Sequence, residues 1–185
     1  EVDMRLRPAG SAGPIASSLE AFTRYQETDA WTWEHQALTR ARVVCAEGDL
    51  GEKFDKVVRS VLTAPRDADD LAGEVGEMRA RMRKEHRADD IWLVKHMPGG
   101  MVDIEFIAQY LQLKHAAETP EILAGDTAAA LRVAGDKGLI DASTASDLVD
   151  AMMLWRSLQG ILRLTVEGDF SEAGAAVALK RVITR

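Results

Sequence analysis

Apolar residues recur at helical spacing along most of this chain. A first helix is expected from an N-cap at Ser17 or Ser18 to about residue 27, with Leu19, Phe22 and Tyr25 or Gln26 as its stripe. A second is expected over 29–45. A third, over 49–64, has Phe54, Val57, Val58, Val61 and Leu62 as core face, and Pro65 stops it. A fourth runs from Arg66 or Asp67 to about residue 86 on the stripe Leu71, Val75, Met78 and Met82. Its aspartates lie at the start, and Arg79, Arg81, Arg83 and Lys84 near the end. That order suits the helix dipole, so both charge runs read as a solvated, well-capped helix.

Residues 91–96 read as a short extended link and Pro98-Gly99-Gly100 as a turn. A helix is expected from Met101 or Asp103 to about residue 117. Shorter ones follow near 121–124 and 127–137, with Gly138 as a C-cap. Asp141 or Ser143 then caps a long helix to about residue 166. Its stripe, Leu148, Met152, Trp155, Leu162 and Val166, is widened by Val149, Met153 and Leu154, which suggests a central helix contacted on several sides. A last helix spans 171–183. No internal repeat or sustained heptad stands out. The fold class is mainly α, a helical bundle.

Only the first residues break this rhythm. In Glu1-Val-Asp-Met-Arg-Leu-Arg-Pro8, a strand would put Asp3, Arg5 and Arg7 on one face and Val2, Met4 and Leu6 on the other. A carboxylate beside two guanidinium groups suits a divalent metal next to phosphate oxygens. On spacing alone, an exposed edge strand with a chance charge pattern is the plainer reading. Pro8 to Pro14 reads as a loop.

Composition narrows the classes. The chain has 185 residues, enough for one domain with a real core, and ordinary apolar (46%) and charged (29%) shares. A net charge of -7 argues against a general nucleic-acid binder, so any anion site must come from local clustering. No apolar run reaches the roughly 20 residues that span a bilayer, and no signal peptide is expected from the residues read. The single cysteine, Cys45, excludes an internal disulfide, fits a reducing cytosol, and reads as a buried or half-buried inert thiol beside Val43 and Val44. The chain starts with Glu inside a motif, which reads as a piece of a longer protein.

Two more clusters carry candidate chemistry. The expected second helix holds Trp31, Trp33, Glu34, His35, Gln36, Leu38, Arg40 and Arg42. Core packing is the plainer reading of the tryptophans, and surface charge of the arginines. Arg40 and Arg42 still stand out, because a semi-buried arginine needs an anionic partner. The four histidines share no metal-ligand spacing. The other cluster is Lys95, Gly99, Gly100, Asp103 and Glu105. Glycines let backbone approach a ligand, and a helix start offers free N–H groups to an anion. Asp103 and Glu105 point roughly 200° apart on a regular helix, so they cannot both chelate one metal there. Asp103 also reads as an N-cap.

In order and wording these clusters resemble the glutamine synthetase adenylyltransferase family. The resemblance rests on Glu1-Val-Asp-Met-Arg-Leu-Arg-Pro8, Ala30-Trp-Thr-Trp-Glu-His-Gln-Ala-Leu-Thr-Arg-Ala-Arg42 and Gly99-Gly-Met-Val-Asp-Ile-Glu-Phe-Ile-Ala-Gln-Tyr110, with Pro65-Arg66-Asp67 and Met78-Arg-Ala-Arg-Met82. Strong motifs run to about residue 115, and the remainder fits more loosely. The resemblance implies two related nucleotidyltransferase halves of the DNA polymerase β superfamily, one removing AMP from glutamine synthetase and one attaching it. The tryptophan-rich segment is similar to the attaching half. The implied reaction is attack by a tyrosine hydroxyl of glutamine synthetase on the α-phosphate of ATP, in the cytoplasm. Glutamine and the PII signal protein are the implied regulators, and Mg2+ and ATP the implied cofactor and substrate.

In that superfamily three carboxylates hold the metal ions, two of them after a Gly-Ser loop in an Asp-x-Asp pattern. Asp3 matches the third and is the implied catalytic and metal-binding residue. Arg5, Arg7, Arg40, Arg42, Lys95 and Asp103 are the implied nucleotide-side residues. Gly10-Ser11 has no Asp-x-Asp after it, and Asp67-Ala-Asp69 has no Gly-Ser loop before it, so two ligands are missing from this chain. Residues 1–14 are therefore expected to be a nucleotidyltransferase remnant. Residues 15–185 are expected to be a helical domain, with possible sub-bundles at 15–118 and 119–185, and the piece alone inactive. The alternatives are a helical module of the adenylyl-removing half or of a PII uridylyltransferase, or an interaction module without chemistry.

Overall fold

The computed structural model describes residues 7–8, 10–86 and 94–165. Among these the chain forms α1 (Leu19–Thr28), α2 (Thr32–Leu38), α3 (Leu50–Leu62), α4 (Ala68–Glu85), α5 (Met101–His115), α6 (Thr127–Asp136) and α7 (Ala142–Thr165). Short 3-10 turns cover Gly10–Ala12 and Pro120–Ile122. The mainly α fold class holds. The strand expected at the start, with Asp3 and Arg5, lies outside the described residues, as do the first part of the 91–96 link and the helix over 171–183. Val94 to His96 form a turn.

Local capping fixes several helix starts. The Ser18 hydroxyl accepts the Ala21 N–H at 3.2 Å, and the Asp126 carboxylate accepts that of Ala129 at 3.0 Å. Asp67 accepts from the N–H groups of Asp69 and Asp70 at 2.9 and 3.0 Å. Asp69 and Asp70 then occupy the positive end of α4, with Arg83 and Lys84 at its negative end. Gly138 follows the end of α6 with a φ of 69° that few other residues adopt, and the Leu139 N–H closes back on Ala134 O at 2.9 Å.

The second helix is much shorter than its periodicity suggests. It starts after Trp31, whose backbone N–H is taken by the Glu34 carboxylate at 2.9 Å, half of a capping box. It stops at Leu38, where the Thr39 hydroxyl donates to Gln36 O at 2.7 Å and the N–H groups of Arg40 and Ala41 bond three residues back. β-Branched Val43 and Val44 do not rescue it. The irregular segment that follows leaves Cys45 exposed, which corrects the expectation of a buried thiol.

Two apolar clusters form the interior. One joins α5, α6, α7 and the Pro120–Ile122 turn through Ile104, Leu111, Ile122, Leu131, Val149 and Met152. The other joins Leu62 of α3, Leu71 and Val75 of α4, and Leu113 of α5. Tyr110 of α5 packs against both clusters, so α5, and not α7, is the central helix. Its sequence is apolar around most of its circumference, the mark of a helix enclosed by neighbours. Of the α7 residues that widened the stripe, Val149 is buried, but Met153 and Leu154 are exposed.

Candidate functional site

The candidate site is built where α1, α2 and α5 meet. A hollow of about 550 Å³ opens there, with Arg7, Gln26, Glu34, Arg40 and Gln109 supplying its polar groups. Glu34 is buried, and its carboxylate takes the Tyr25 hydroxyl at 2.9 and 3.0 Å besides the Trp31 N–H. It therefore ties α1 to α2. The Gln36 amide donates to Gln109 Oε1 at 3.2 Å and ties α2 to α5. Gln26 Oε1, Gln36 Oε1 and His35 Nδ1 are buried without a hydrogen-bond partner, an unusual density of open polar atoms.

Arg40 reaches Glu105 of α5 at 2.8 Å and stays half exposed. Arg7 is half-buried, and its Nε donates to Gly13 O at 3.4 Å. Of the expected nucleotide-side residues, Arg7 and Arg40 thus share one hollow. Arg42 is exposed on a second, more apolar hollow of about 480 Å³ that shares Phe22 and Phe54 with the first. Those two rings lie 5.3 Å apart and form the partition.

Lys95 and Asp103 sit elsewhere, at the turn before α5. Asp103 is not the N-cap, which is Gly100. Its carboxylate pairs with Arg79 of α4 and accepts the Gly99 N–H at 2.6 Å. Arg79 also donates to His96 O at 3.2 Å, and the Trp155 indole to Gly99 O at 3.0 Å. The turn is thereby bolted to α4 and α7. Gly100 admits no side chain: a Cβ there would lie 2.5 Å from Val94 O and 2.9 Å from Met97 O. Lys95 is exposed on this braced turn. Arg79 was missed as part of a solvated charge run, yet it is only 13% exposed. Its place one residue beyond Met78, at the edge of the buried stripe, was the available signal.

Burial lowers the pKa of His35, and the nearby Arg66 guanidinium adds to the effect. His96 is pushed down to about 4, first by burial and then by His86, Lys95 and Arg79. The His86 and His96 rings stack with centroids 4.0 Å apart. The native state therefore holds His35 and His96 neutral where the unfolded chain takes up protons. Their contribution is complete above pH 6.5 and is lost as pH falls towards about 4. The melting temperature should drop between pH 7 and 5, before most carboxylates titrate, and less steeply in His96→Phe. Circular-dichroism melts that coincide across that range would contradict it.

The described residues contain no group of three or more His, Cys, Asp or Glu side chains able to hold a metal ion. The guanidinium pair at the hollow suits phosphate oxygens. No helix among the described residues is long and apolar enough to cross a membrane.

The helical part is of a class found in nucleotide-transferring enzymes: the family model described as GlnD PII-uridylyltransferase matches residues 74–168, more than half of the chain. The model described as glutamate-ammonia ligase adenylyltransferase matches residues 1–57. Similarity to curated relatives runs through all 185 residues, further than the strong motifs reached. A bifunctional glutamine synthetase adenylyltransferase/adenylyl-removing enzyme of Rhodopseudomonas palustris (strain BisB5) is 51% identical over the whole chain. Proteins of the same name from Bradyrhizobium diazoefficiens and Xanthobacter autotrophicus are 48% and 44% identical, also over the whole chain. The chain belongs to the family described as GlnD PII-uridylyltransferase, whose model covers more than half of it, and over its full length it is similar to bifunctional glutamine synthetase adenylyltransferase/adenylyl-removing enzymes. It spans about 19% of the length of these relatives. A module of a PII uridylyltransferase is not favoured, because the relatives that match the whole chain carry the name of the bifunctional adenylyltransferase/adenylyl-removing enzyme, which covers both halves.

Proposed function

We propose that this chain is the helical side of a nucleotidyltransferase that moves AMP from ATP to a tyrosine of glutamine synthetase. The tyrosine oxygen forms a bond to the α-phosphorus, the bond to pyrophosphate breaks, and the hydroxyl proton departs. Identity over the full length of the chain to enzymes of that name carries the reading. The shared hollow of Arg7 and Arg40 supports it, since guanidinium groups pair bidentately with phosphate.

In this reading residues 1–14 belong to the nucleotidyltransferase domain and residues 15–185 form the helical domain. Asp3 supplies one carboxylate of a set completed elsewhere in the longer protein. A divalent ion such as Mg2+ held by that set would offset charge on the triphosphate. Arg5 and Arg7, from the first segment, and Arg40 and Arg42, from the irregular segment after α2, would serve the nucleotide side. Lys95 reaches out from the turn that Asp103 anchors. Glutamine and the PII signal protein are the proposed regulators, and the cytosol the proposed compartment, all by family resemblance.

The test is direct. The full-length protein, given glutamine synthetase and ATP labelled at the α-phosphate, should place label on a synthetase tyrosine. Absence of label under varied metal and effector conditions would overturn the reading.

A further inference from the structure

The two tryptophans expected in the core are at the surface. Trp31 is 71% exposed and Trp33 38% exposed. Trp31 precedes the first residue of α2, and its indole makes no capping bond. Both rings line a hollow of about 280 Å³ whose other wall is α4, contributing Glu74, Glu77, Met78 and Arg81. The Thr32 hydroxyl donates to the Glu74 carboxylate and fixes α2 against α4 at this place. The indoles are thus presented on a braced frame.

We propose that this hollow is where the protein substrate docks, by inserting an arginine or lysine side chain between the indoles and the α4 carboxylates. Three properties carry the choice of occupant. A cation is attracted to an indole face, and most strongly where water is displaced. Within the lining two glutamates face the single Arg81, and with the Arg66 guanidinium near Glu74 it is Glu77 that gives the hollow its attraction for a cation. Exposed tryptophan framed by charged side chains is also the composition of a reversible interface, with an aromatic centre and a polar rim. A permanent contact with the rest of a longer chain would be more apolar. The inference rests on the function proposed above, because glutamine synthetase is the protein that such an enzyme must meet and release.

The test uses the full-length protein with purified glutamine synthetase, in Trp31→Ala and separately in Glu77→Lys. Trp31→Ala leaves the backbone bond to Glu34 intact. The KM for glutamine synthetase should rise about tenfold in Trp31→Ala, the size of a typical aromatic anchor. It should rise further in Glu77→Lys. The kcat at saturating synthetase, the KM for ATP and the melting temperature should stay at wild-type values. Added salt should weaken the wild type more than Glu77→Gln. An unchanged KM for the synthetase in both variants overturns the docking site. So does a fall in kcat together with melting temperature, which would assign the patch to a contact within the longer chain. A wild-type protein that transfers no AMP overturns the functional reading instead.

Discussion

The 185-residue segment by itself is expected to transfer no AMP to glutamine synthetase, and Asp3→Asn in the full-length protein is expected to cut transfer by about 10²–10³-fold. Developing charge on the phosphate and on pyrophosphate needs fixed compensating charge. The described residues supply guanidinium groups, Arg7 and Arg40, but no cluster of acids. Gly10 and Ser11 belong to a 3-10 turn, not to a loop leading into paired aspartates. Asparagine keeps the size of Asp3 but removes the charge, so the loss should fall on kcat and not on folding. Asp69→Asn is the matched control, because that side chain is exposed in the first turn of α4. Labelled AMP incorporation, read beside melting temperature, separates the two. Equal activity in wild type and Asp3→Asn, or transfer by the segment alone, would remove Asp3 from the chemistry.

Helix after helix was legible in the sequence because the signals that start and stop α1, α3 and α4 are local. Ser18 and Asp67 cap within three residues, and Pro65 ends α3 from within the same stretch. α2 was overread because the run from Trp31 to Val44 keeps helical periodicity, while a side-chain bond from Thr39 closes the helix early. The central place of α5 was hidden for the opposite reason. A helix apolar around most of its circumference shows no single stripe, whereas the broad stripe of α7 imitated one that is enclosed.

The site was legible as chemistry and not as geometry. Arg7 and Arg40 line one hollow from 33 positions apart, and Arg79 finds Asp103 across 24. No spacing rule joins residues so far apart. Burial is likewise a tertiary property, so tryptophans at helical spacing looked like core and became surface. Asp103 shows how one residue type serves two ends. A carboxylate near a glycine turn suits a phosphate-binding metal, yet here it spends both oxygens on Arg79 and the Gly99 N–H.

Leu131→Ala should lower the unfolding free energy by about 4 kcal/mol, near the upper part of the range for a deleted leucine. Leu131 is fully buried on α6 in the cluster shared by α5, α6 and α7. Its surroundings decide the magnitude. Ala108, Ala116, Ala128 and Ala134 line the same cluster, so the helices already touch through their smallest side chains. At Gly135 even a Cβ would come within 2.7 Å of the Ala145 Cβ, which shows how closely α6 and α7 approach. Helices in such contact cannot close further to fill a space, and the cavity left by the leucine persists. Leu131→Met, which nearly conserves volume, should cost under about 1.5 kcal/mol. Urea denaturation of the segment reads both, and a Leu131→Ala loss under about 2 kcal/mol would mean that α6 can slide inward after all. In the full-length protein, a defect from Leu131→Ala should follow the folded fraction, recovering on cooling, whereas the Asp3→Asn defect should not.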